Sequence, residues 1–390
     1  MKHHVMSLYA VAGLSASLLA QPAPPRVLLT DRGPNTSIAR PGAPTHIVGL
    51  PRTIHTMVMN TGTTKYGLQY VIAHDAKRPG IAIPGEGYIG MPQPSNCNWY
   101  AGGFFDLWVN GNSIGSTPIH SFVGRAAGNR GCVDFVFDTA PSLVRIRFVA
   151  LADSDALFCQ VLLEPKAEIT SLKTVLRCYP SAFVSNSTRH VLTPTRDLAQ
   201  GERAELDPLN EQWLLYYDRV FDAGHITPSK TGVGPCSVVL GNDQADNVSL
   251  TVGTYGTDTT IELKPSRPDF RFVFFDYKGT TNKAAMADLR QRASGLLEEL
   301  TTFPFIDQET ARWPLEEKQK QIARVLARMP NEREAAERYR KWAVDVAEQL
   351  KIIRSGAHGA VMAEAEAGRI IREWEKGLPE LRLKALLDGI

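Results

Sequence analysis

The sequence predicts a mainly β protein, an antiparallel β-sandwich followed by a C-terminal α-helical region. Many short segments alternate apolar and polar residues and end at Gly, Pro, Asn or Asp, as strands joined by turns do. The last 107 residues contain 18 Lys and Arg and 18 Asp and Glu, whereas the preceding 283 contain only 25 and 23. Gly and Pro become rarer across the same boundary, which indicates helices. We therefore place the sandwich at residues 25–280 and the helical region at 283–390.

Hairpin patterns mark the sandwich. In the run FFDLWVNGNSIG, Asn110 and Gly111 tolerate the positive φ angles of a two-residue type I′ turn. Residues 143–165 form two alternating segments around a turn at 152–155, and further segments follow at 213–221, 236–240, 248–255, 259–265 and 270–277. Strands this frequent, without helical spacers, predict an antiparallel sandwich and exclude a parallel α/β enzyme for this region.

Apolar stripes at intervals of three and four residues predict four or five helices in the C-terminal region. The stripes are Met286, Leu289, Ala293, Leu296, Leu297 and Leu300; Ile322, Val325, Leu326 and Met329; and Tyr339, Trp342, Ala343, Val346, Leu350 and Ile353. We expect Gly356, Gly359 and the Gly377-Leu378-Pro379 turn to separate the pieces. The stripes are interpreted as packing faces within the protein, and a docking surface for a protein partner is the alternative.

The first twenty residues have the three parts of a secretory signal peptide. Lys2 gives a basic start, residues 5–19 are an apolar stretch, and Ala20 is a small residue before Gln21. The stretch is too short to span a bilayer comfortably, and no other segment approaches membrane length. We expect a signal peptide at 1–20 and a secreted or periplasmic protein without a transmembrane segment.

Composition and motifs exclude several function classes. With 43 Lys and Arg against 41 Asp and Glu, the formal net charge is only +2, so a nucleic-acid partner is not expected. The sequence contains no GxxxxGK[ST] or HExxH motif, and no GxGxxG between a strand and a helix. We predict no cofactor.

The five cysteines fit an oxidising compartment but leave their pairing open. They are Cys97, Cys132, Cys159, Cys178 and Cys236. Four of them can form two disulfides, and small buried thiols are the alternative. No pair has CxxC spacing, and the oxygen-rich stretch at 242–247 lacks the spacing of a known calcium loop. We therefore predict no metal site.

Candidate acid and base residues lie where strands give way to loops. Asp222 and His225 follow the strand at 213–221, and Lys230 lies in the same loop. These residue types suit general acid–base work on a polar substrate, although Asp222 and His225 also suit hydrogen bonds to loop backbone. His74 and Asp75 end another strand and are candidate ligand-binding residues.

Aromatic residues mark a second candidate region. Trp99 and Tyr100 lie in a loop rich in Pro and Gly, where flat rings can stack on the apolar faces of sugars. We therefore predict Trp99 and Tyr100 as ligand-binding residues. Trp108, on the neighbouring hairpin, is interpreted as part of the sandwich core.

Part of the chain resembles a known superfamily. The hairpin from Trp108 to Gly111, with Gly115, resembles the strand-Asn-Gly-strand hairpins of sugar-processing β-sandwiches. The series VRIRF (144–148), TGVGPC (231–236) and FRF (270–272) resembles the β-supersandwich of the galactose mutarotase-like superfamily, also found in accessory domains of glycoside hydrolases and polysaccharide lyases. The resemblance covers residues 143–277. Epimerases of the superfamily use a His acid and a Glu base, and the resemblance implies His225 and Glu262 for these roles.

Three functions fit these observations. The first is an exported accessory protein that binds or processes carbohydrate on a sandwich face. The second is a carbohydrate-active enzyme of the epimerase, lyase or glycosidase type, with His225 and either Asp222 or Glu262 as acid and base. The third is a non-catalytic structural protein of the cell envelope. The first needs only aromatic and polar side chains on one surface, so we favour it.

Overall fold

The protein is a two-sheet antiparallel β-sandwich followed by α-helices, which confirms the predicted fold class. The computed structural model describes residues 25–39, 48–78, 81–94, 103–178, 189–219, 234–254, 256–266, 269–277, 279–306, 308–355 and 359–387. The predicted signal peptide lies outside these residues. Among the helices of the described segments, none combines the length and apolar character needed to cross a bilayer.

The first sheet contains ten strands of the described chain. In chain order these are β1 (Leu28–Ile38), β2 (Pro51–Asn60), β3 (Lys65–His74), β4 (Ala82–Gln93), β5 (Phe105–Val109), β6 (Asn112–Ser113), β11 (Leu172–Cys178), β14 (Arg203–Leu206), β17 (Ala245–Val252) and β18 (Thr257–Leu263). Their order across the sheet is β1-β2-β3-β4-β5-β11-β18-β17-β14, with β6 paired to β5. The sheet therefore joins strands from both ends of the sandwich sequence.

The second sheet contains nine strands of the described chain. They are β7 (Ile119–Ala127), β8 (Arg130–Asp138), β9 (Ser142–Leu151), β10 (Ala156–Pro165), β12 (Arg189–Leu192), β13 (Asp197–Ala199), β15 (Trp213–Asp218), β16 (Cys236–Leu240) and β19 (Asp269–Asp276). Their order is β13-β12-β15-β16-β19-β10-β9-β8-β7. Alternate residues of both sheets meet in one buried core, as in sandwiches generally.

The predicted turns are confirmed. Asn110 and Gly111 have φ angles of 49° and 79° between β5 and β6, as a type I′ turn requires. The side-chain oxygen of Asn110 also accepts hydrogen bonds from the backbone N–H of Thr170 (2.8 Å) and Ser171 (3.2 Å). Because Ser171 directly precedes β11, this bond ties the hairpin to its neighbouring strand. The second predicted turn joins β9 to β10 and has Asp153 at φ 59°.

Five helices follow the sandwich in the described part of the chain: α1 (Asn282–Thr302), α2 (Gln308–Ala311), α3 (Leu315–Leu326), α4 (Arg333–Ser355) and α5 (Ala360–Leu387). The Thr281 side chain caps α1 by accepting from the backbone N–H of Ala284. The predicted α1 stripe packs on the outward face of the nine-stranded sheet, with Leu289 and Ala293 in a cluster with Phe158 and Phe275. Tyr339, Ala343, Val346, Leu350 and Ile353 are the buried face of α4, as predicted.

The predicted turn at Gly377-Leu378-Pro379 is wrong, because α5 continues through Pro379. A proline normally breaks a helix by removing an N–H donor and by crowding the preceding turn. Here Leu378 and Leu381 are buried in the cluster formed with α3 and α4, so packing holds the helix together. Gly377 has a different role: a Cβ there would lie 2.7 Å from the Tyr339 hydroxyl, so it allows α4 and α5 to approach closely.

A buried charge cluster anchors α5 to the nine-stranded sheet; we define it as Arg125, Asp134, Arg147 and Glu364. Arg147 donates to both carboxylate oxygens of Asp134, each at 2.7 Å. It also donates to Glu364 Oε1 at 2.6 Å, and Arg125 reaches the same oxygen at 3.3 Å. Burial alone would raise the pKa of Asp134, but Arg147 holds it below its ordinary value. The helices therefore cover this face of the sandwich.

Candidate functional site

The outward side of the ten-stranded sheet carries a group of charged, polar and aromatic side chains. We call the residues Asp106, Trp108, Lys173, Arg177, Asp258 and Glu262 the open face. They lie on the neighbouring strands β5, β11 and β18 and alternate with residues that point into the core. All six side chains are half-buried or exposed, whereas the core residues beside them are fully buried.

Strand register arranges these residues in rows. Trp108 lies opposite Lys173, and Lys173 lies opposite Glu262. In a parallel row, Arg177 lies opposite Asp258. Directly opposite residues of an antiparallel pair have Cβ atoms about 5 Å apart, so each row forms a continuous strip across the strands.

Trp108 is the aromatic centre of the open face. Its indole Nε1 donates to Asp106 Oδ2 at 2.9 Å, which fixes the orientation of the ring. The Lys173 ammonium lies 4.8 Å from the ring centroid, within the range of a cation–π contact. A lysine stem is flexible, so a ligand with an apolar face can replace the ammonium over the ring.

Asp106 is the polar centre of the same group. Besides its bond from Trp108, it accepts a hydrogen bond from the Ser113 hydroxyl at 2.7 Å. Arg177 Nη2 lies 3.8 Å from its Oδ2 atom, and Arg177 Nε lies 3.7 Å from Asp258 Oδ1. The Asp106 and Arg177 side chains are 15% and 17% exposed, so both are held in place yet remain accessible.

This arrangement has the chemistry of a site for a hydroxylated ligand. A sugar ring has an apolar C–H face that matches an indole, and hydroxyl groups that need charged or amide partners after they lose water. The open face supplies the ring of Trp108, carboxylate acceptors and the donors of Lys173 and Arg177. Among the residues that the structure describes, no three His, Cys, Asp or Glu side chains come together as metal ligands would.

Of the residues predicted from sequence, Glu262 lies on the open face. The pairing of Lys173 with both Glu262 and Trp108 brings the predicted carboxylate into the row of the indole. The oxygen-rich stretch at 242–247, where no calcium site is predicted, forms a short 3-10 helix at Asn242–Gln244 and the beginning of β17.

His74 and Asp75 lie at the end of β3 and hold the connection to β4. The His74 Nε2 atom is 2.7 Å from the Thr53 hydroxyl of β2. Asp75 accepts from the backbone N–H of Lys77 at 2.8 Å and from the Arg78 side chain at 2.9 Å. The bond from Lys77, followed by that from Arg78, lowers the pKa of Asp75. These contacts stabilise a turn, and a ligand-binding role for His74 and Asp75 stays a prediction.

The other predicted site residues are Trp99, Tyr100, Asp222, His225 and Lys230, and all of them lie outside the described residues. Two further histidines lie on strands of the nine-stranded sheet. His120 is exposed on β7. His190 Nδ1 lies 3.2 Å from Asp197 Oδ1, and the Tyr217 hydroxyl donates to the other oxygen of Asp197 at 2.7 Å.

Sequence reasoning missed most of the open face. Trp108 was interpreted as core, but it points outward because it alternates with Leu107 and Val109, which are buried. The signal was present in the segment FDLWV: the two-residue spacing of Asp106 and Trp108 puts a carboxylate and an indole on one side of a strand. Lys173, Arg177 and Asp258 carried no such signal, because their proximity depends on pairing between distant strands.

Comparisons with known proteins return similarity in structure only. No family profile matches the sequence. No curated protein matches it either. The GH36 α-galactosidase AgaB from Geobacillus stearothermophilus is 11% identical, with a TM-score of 0.31 over 57% of this chain and 40% of that chain. A chondroitinase AC lyase is 10% identical, with a TM-score of 0.37 over 60% of this chain and 38% of the lyase.

A third solved structure is matched over most of its own length. It is a candidate aldose 1-epimerase from Klebsiella pneumoniae, 9% identical, with a TM-score of 0.35 over 67% of this chain and 87% of that chain. In contrast, this chain spans less than half of the α-galactosidase and of the lyase. The three similar structures are carbohydrate-processing proteins, but identities and TM-scores this low assign no activity, so the function is argued from the open face itself.

Proposed function

We propose that this is an exported protein that binds carbohydrate on the open face of the ten-stranded sheet. The observation that carries the proposal is the half-buried indole of Trp108, fixed by Asp106 and flanked by Lys173 on a sheet face with accessible charged groups. Binding needs only this surface, which accounts for our preference for a binding role over a catalytic one. Export rests on the predicted signal peptide at 1–20.

A glycan array with the purified chain tests the binding role. We expect Trp108→Ala to weaken binding to any glycan found on the array by about 1–3 kcal/mol, because a stacking aromatic contributes energy of this size. This corresponds to a roughly 5- to 150-fold rise in Kd. Trp108→Phe should retain part of the affinity, since a smaller ring still stacks.

Trp213→Ala is the matched control for this measurement. Trp213 is also a partly buried tryptophan on a strand, but it belongs to the nine-stranded sheet and packs against the α1 cluster. Its removal should leave glycan affinity unchanged. Equal losses of affinity in the two variants, or unchanged affinity after Trp108→Ala, would exclude the open face as the binding site.

Catalysis on carbohydrate is the second candidate function, favoured by the position of Glu262 in the row of Trp108 and Lys173. A carboxylate beside a bound sugar is suited to act as a general base. Product analysis on each glycan that binds separates the two functions. Turnover of a bound glycan supports the enzyme, and binding without turnover supports the binding protein.

A further inference from the structure

We propose that Cys178 and Cys236 form a disulfide that links the two sheets of the sandwich. Cys178 is the last residue of β11 in the ten-stranded sheet, and Cys236 is the first residue of β16 in the nine-stranded sheet. Both side chains are fully buried in the core between the sheets. The proposal is independent of the proposed carbohydrate function.

A hydrogen bond between the sheets brings the two cysteines together. The Tyr216 hydroxyl lies 2.7 Å from the Thr259 hydroxyl and so spans the core from β15 to β18. Cys236 lies directly opposite Tyr216 in its sheet. Cys178 lies opposite Thr257, two residues from Thr259 and therefore on the same inward face. Cys178, Cys236 and Tyr216 are all fully buried in this one core, and the Cys236 thiol adds to the effect of burial in raising the pKa of Cys178.

Register separates the other described cysteines from this pair. Cys159 lies opposite Phe272, and Phe272 lies opposite Leu240. Leu240 is four residues along β16 from Cys236, or about 13 Å at strand spacing, which is too far for a disulfide. Cys132 belongs to the cluster beneath α1, on the opposite face of the nine-stranded sheet from Cys159. Within the described segments, the pair chosen by geometry is therefore Cys178 with Cys236.

The reaction is a thiol–disulfide exchange with an oxidised dithiol, either glutathione disulfide or a protein disulfide. The two thiols lose two protons and two electrons as their sulfurs join, and the disulfide of the oxidant takes them up to become two thiols. Burial raises the pKa of Cys178 and so removes its reactive thiolate once the core is closed. The bond must therefore form during folding, which suits a protein that folds in an oxidising compartment.

The consequence is a covalent link behind the open face. β11 carries Lys173 and Arg177 on its outward side. The disulfide holds Cys178, the last residue of β11, to the opposite sheet. The bond also closes the chain between 178 and 236, which restricts the unfolded state and stabilises the fold.

Peptide mapping tests the bond directly. The reduced full-length chain is refolded with oxidised and reduced glutathione, unfolded with an alkylating agent and no reductant, and digested for mass spectrometry. We expect a cross-linked peptide pair containing Cys178 and Cys236, with alkylated Cys132 and Cys159. Alkylation of both Cys178 and Cys236, or a cross-link from either one to Cys97 or another cysteine, would overturn the proposal.

A stability measurement separates a disulfide from simple packing. We expect Cys178→Ala to lower the Tm of the oxidised protein by roughly 5–10 °C more than it lowers the Tm of protein refolded in reductant. Cys236→Ala should behave in the same way. The double variant, Cys178→Ala with Cys236→Ala, should show about the same difference between the Tm losses in the oxidised and reduced proteins as either single variant. Cys159→Ala is the matched control, a buried cysteine whose loss should have the same effect in both conditions. Equal effects of Cys178→Ala with and without reductant contradict the bond.

Discussion

The two sheets carry similar charged groups on their outward faces, but these groups are buried on one sheet and partly exposed on the other. On the nine-stranded sheet, Arg147 is fully buried against Asp134 and Glu364 beneath α5. On the ten-stranded sheet, Arg177 lies 3.8 Å from Asp106 and 3.7 Å from Asp258, on a side chain that is 17% exposed. Each arginine lies between two carboxylates, but only the first is sealed from water.

The difference shows that the element covering a charged group determines whether the group stabilises the fold or remains available to a ligand. A buried ion pair has lost its hydration, so its partners depend on each other and on geometry. A partly exposed pair keeps water as an alternative partner, so it contributes little to folding but can exchange water for a ligand. The buried charge cluster therefore has a structural role, whereas the open face is available for binding.

The largest expected effect is the loss of stability on removal of Arg147. Arg147→Ala leaves Asp134 and Glu364 buried without their shared cation and removes the bond to the Phe305 carbonyl. We expect the free energy of unfolding to fall by about 3–5 kcal/mol. Chemical denaturation of the purified variant measures it, and a loss below about 1 kcal/mol would contradict the structural role of the cluster.

An intermediate effect is expected in the pH dependence of stability. Since Arg147 lowers the pKa of Asp134 against the opposing effect of burial, the ionised carboxylate stabilises the folded state. This contribution is present above an unfolded pKa of about 3.9 and is lost as the pH falls through the lower folded pKa. The free energy of unfolding should therefore decrease more steeply below about pH 4 in the wild type than in Asp134→Asn. If the free energy of unfolding depends on pH in the same way in both proteins, the ionisation of Asp134 does not stabilise the fold.

The smallest expected change in stability is at the open face. Arg177→Ala should change the free energy of unfolding by about 0.5 kcal/mol or less, because its ion pairs are long and partly hydrated. The same variant should lower the affinity for a bound glycan if the open face is the site. Denaturation and glycan binding on one preparation measure both quantities. A large loss of stability with unchanged affinity would make Arg177 a structural residue like Arg147.

Local patterns predicted much of the fold and little of the site. The alternation in β5, the Asn110-Gly111 turn and the stripes of α1 and α4 depend on residues that are neighbours in sequence, and the structure confirms them. The prediction of a turn at Pro379 was wrong because packing with α3 and α4 is not a local property. Trp108 was assigned to the wrong face because an apolar ring in a strand does not reveal which side is covered.

The sequence by itself determined the fold class, the order of a β-rich body before a helical region, and the positions of the main turns. These features follow from side-chain periodicity and from backbone preferences at single residues. Only the tertiary structure decided which sheet face receives α1 and α5, and therefore which arginine is buried and which is open. It also brought Trp108, Lys173 and Glu262 into one row and Cys178 close to Cys236. Pairing between distant strands sets these contacts, and the packing of whole elements, not any local pattern, determines that pairing.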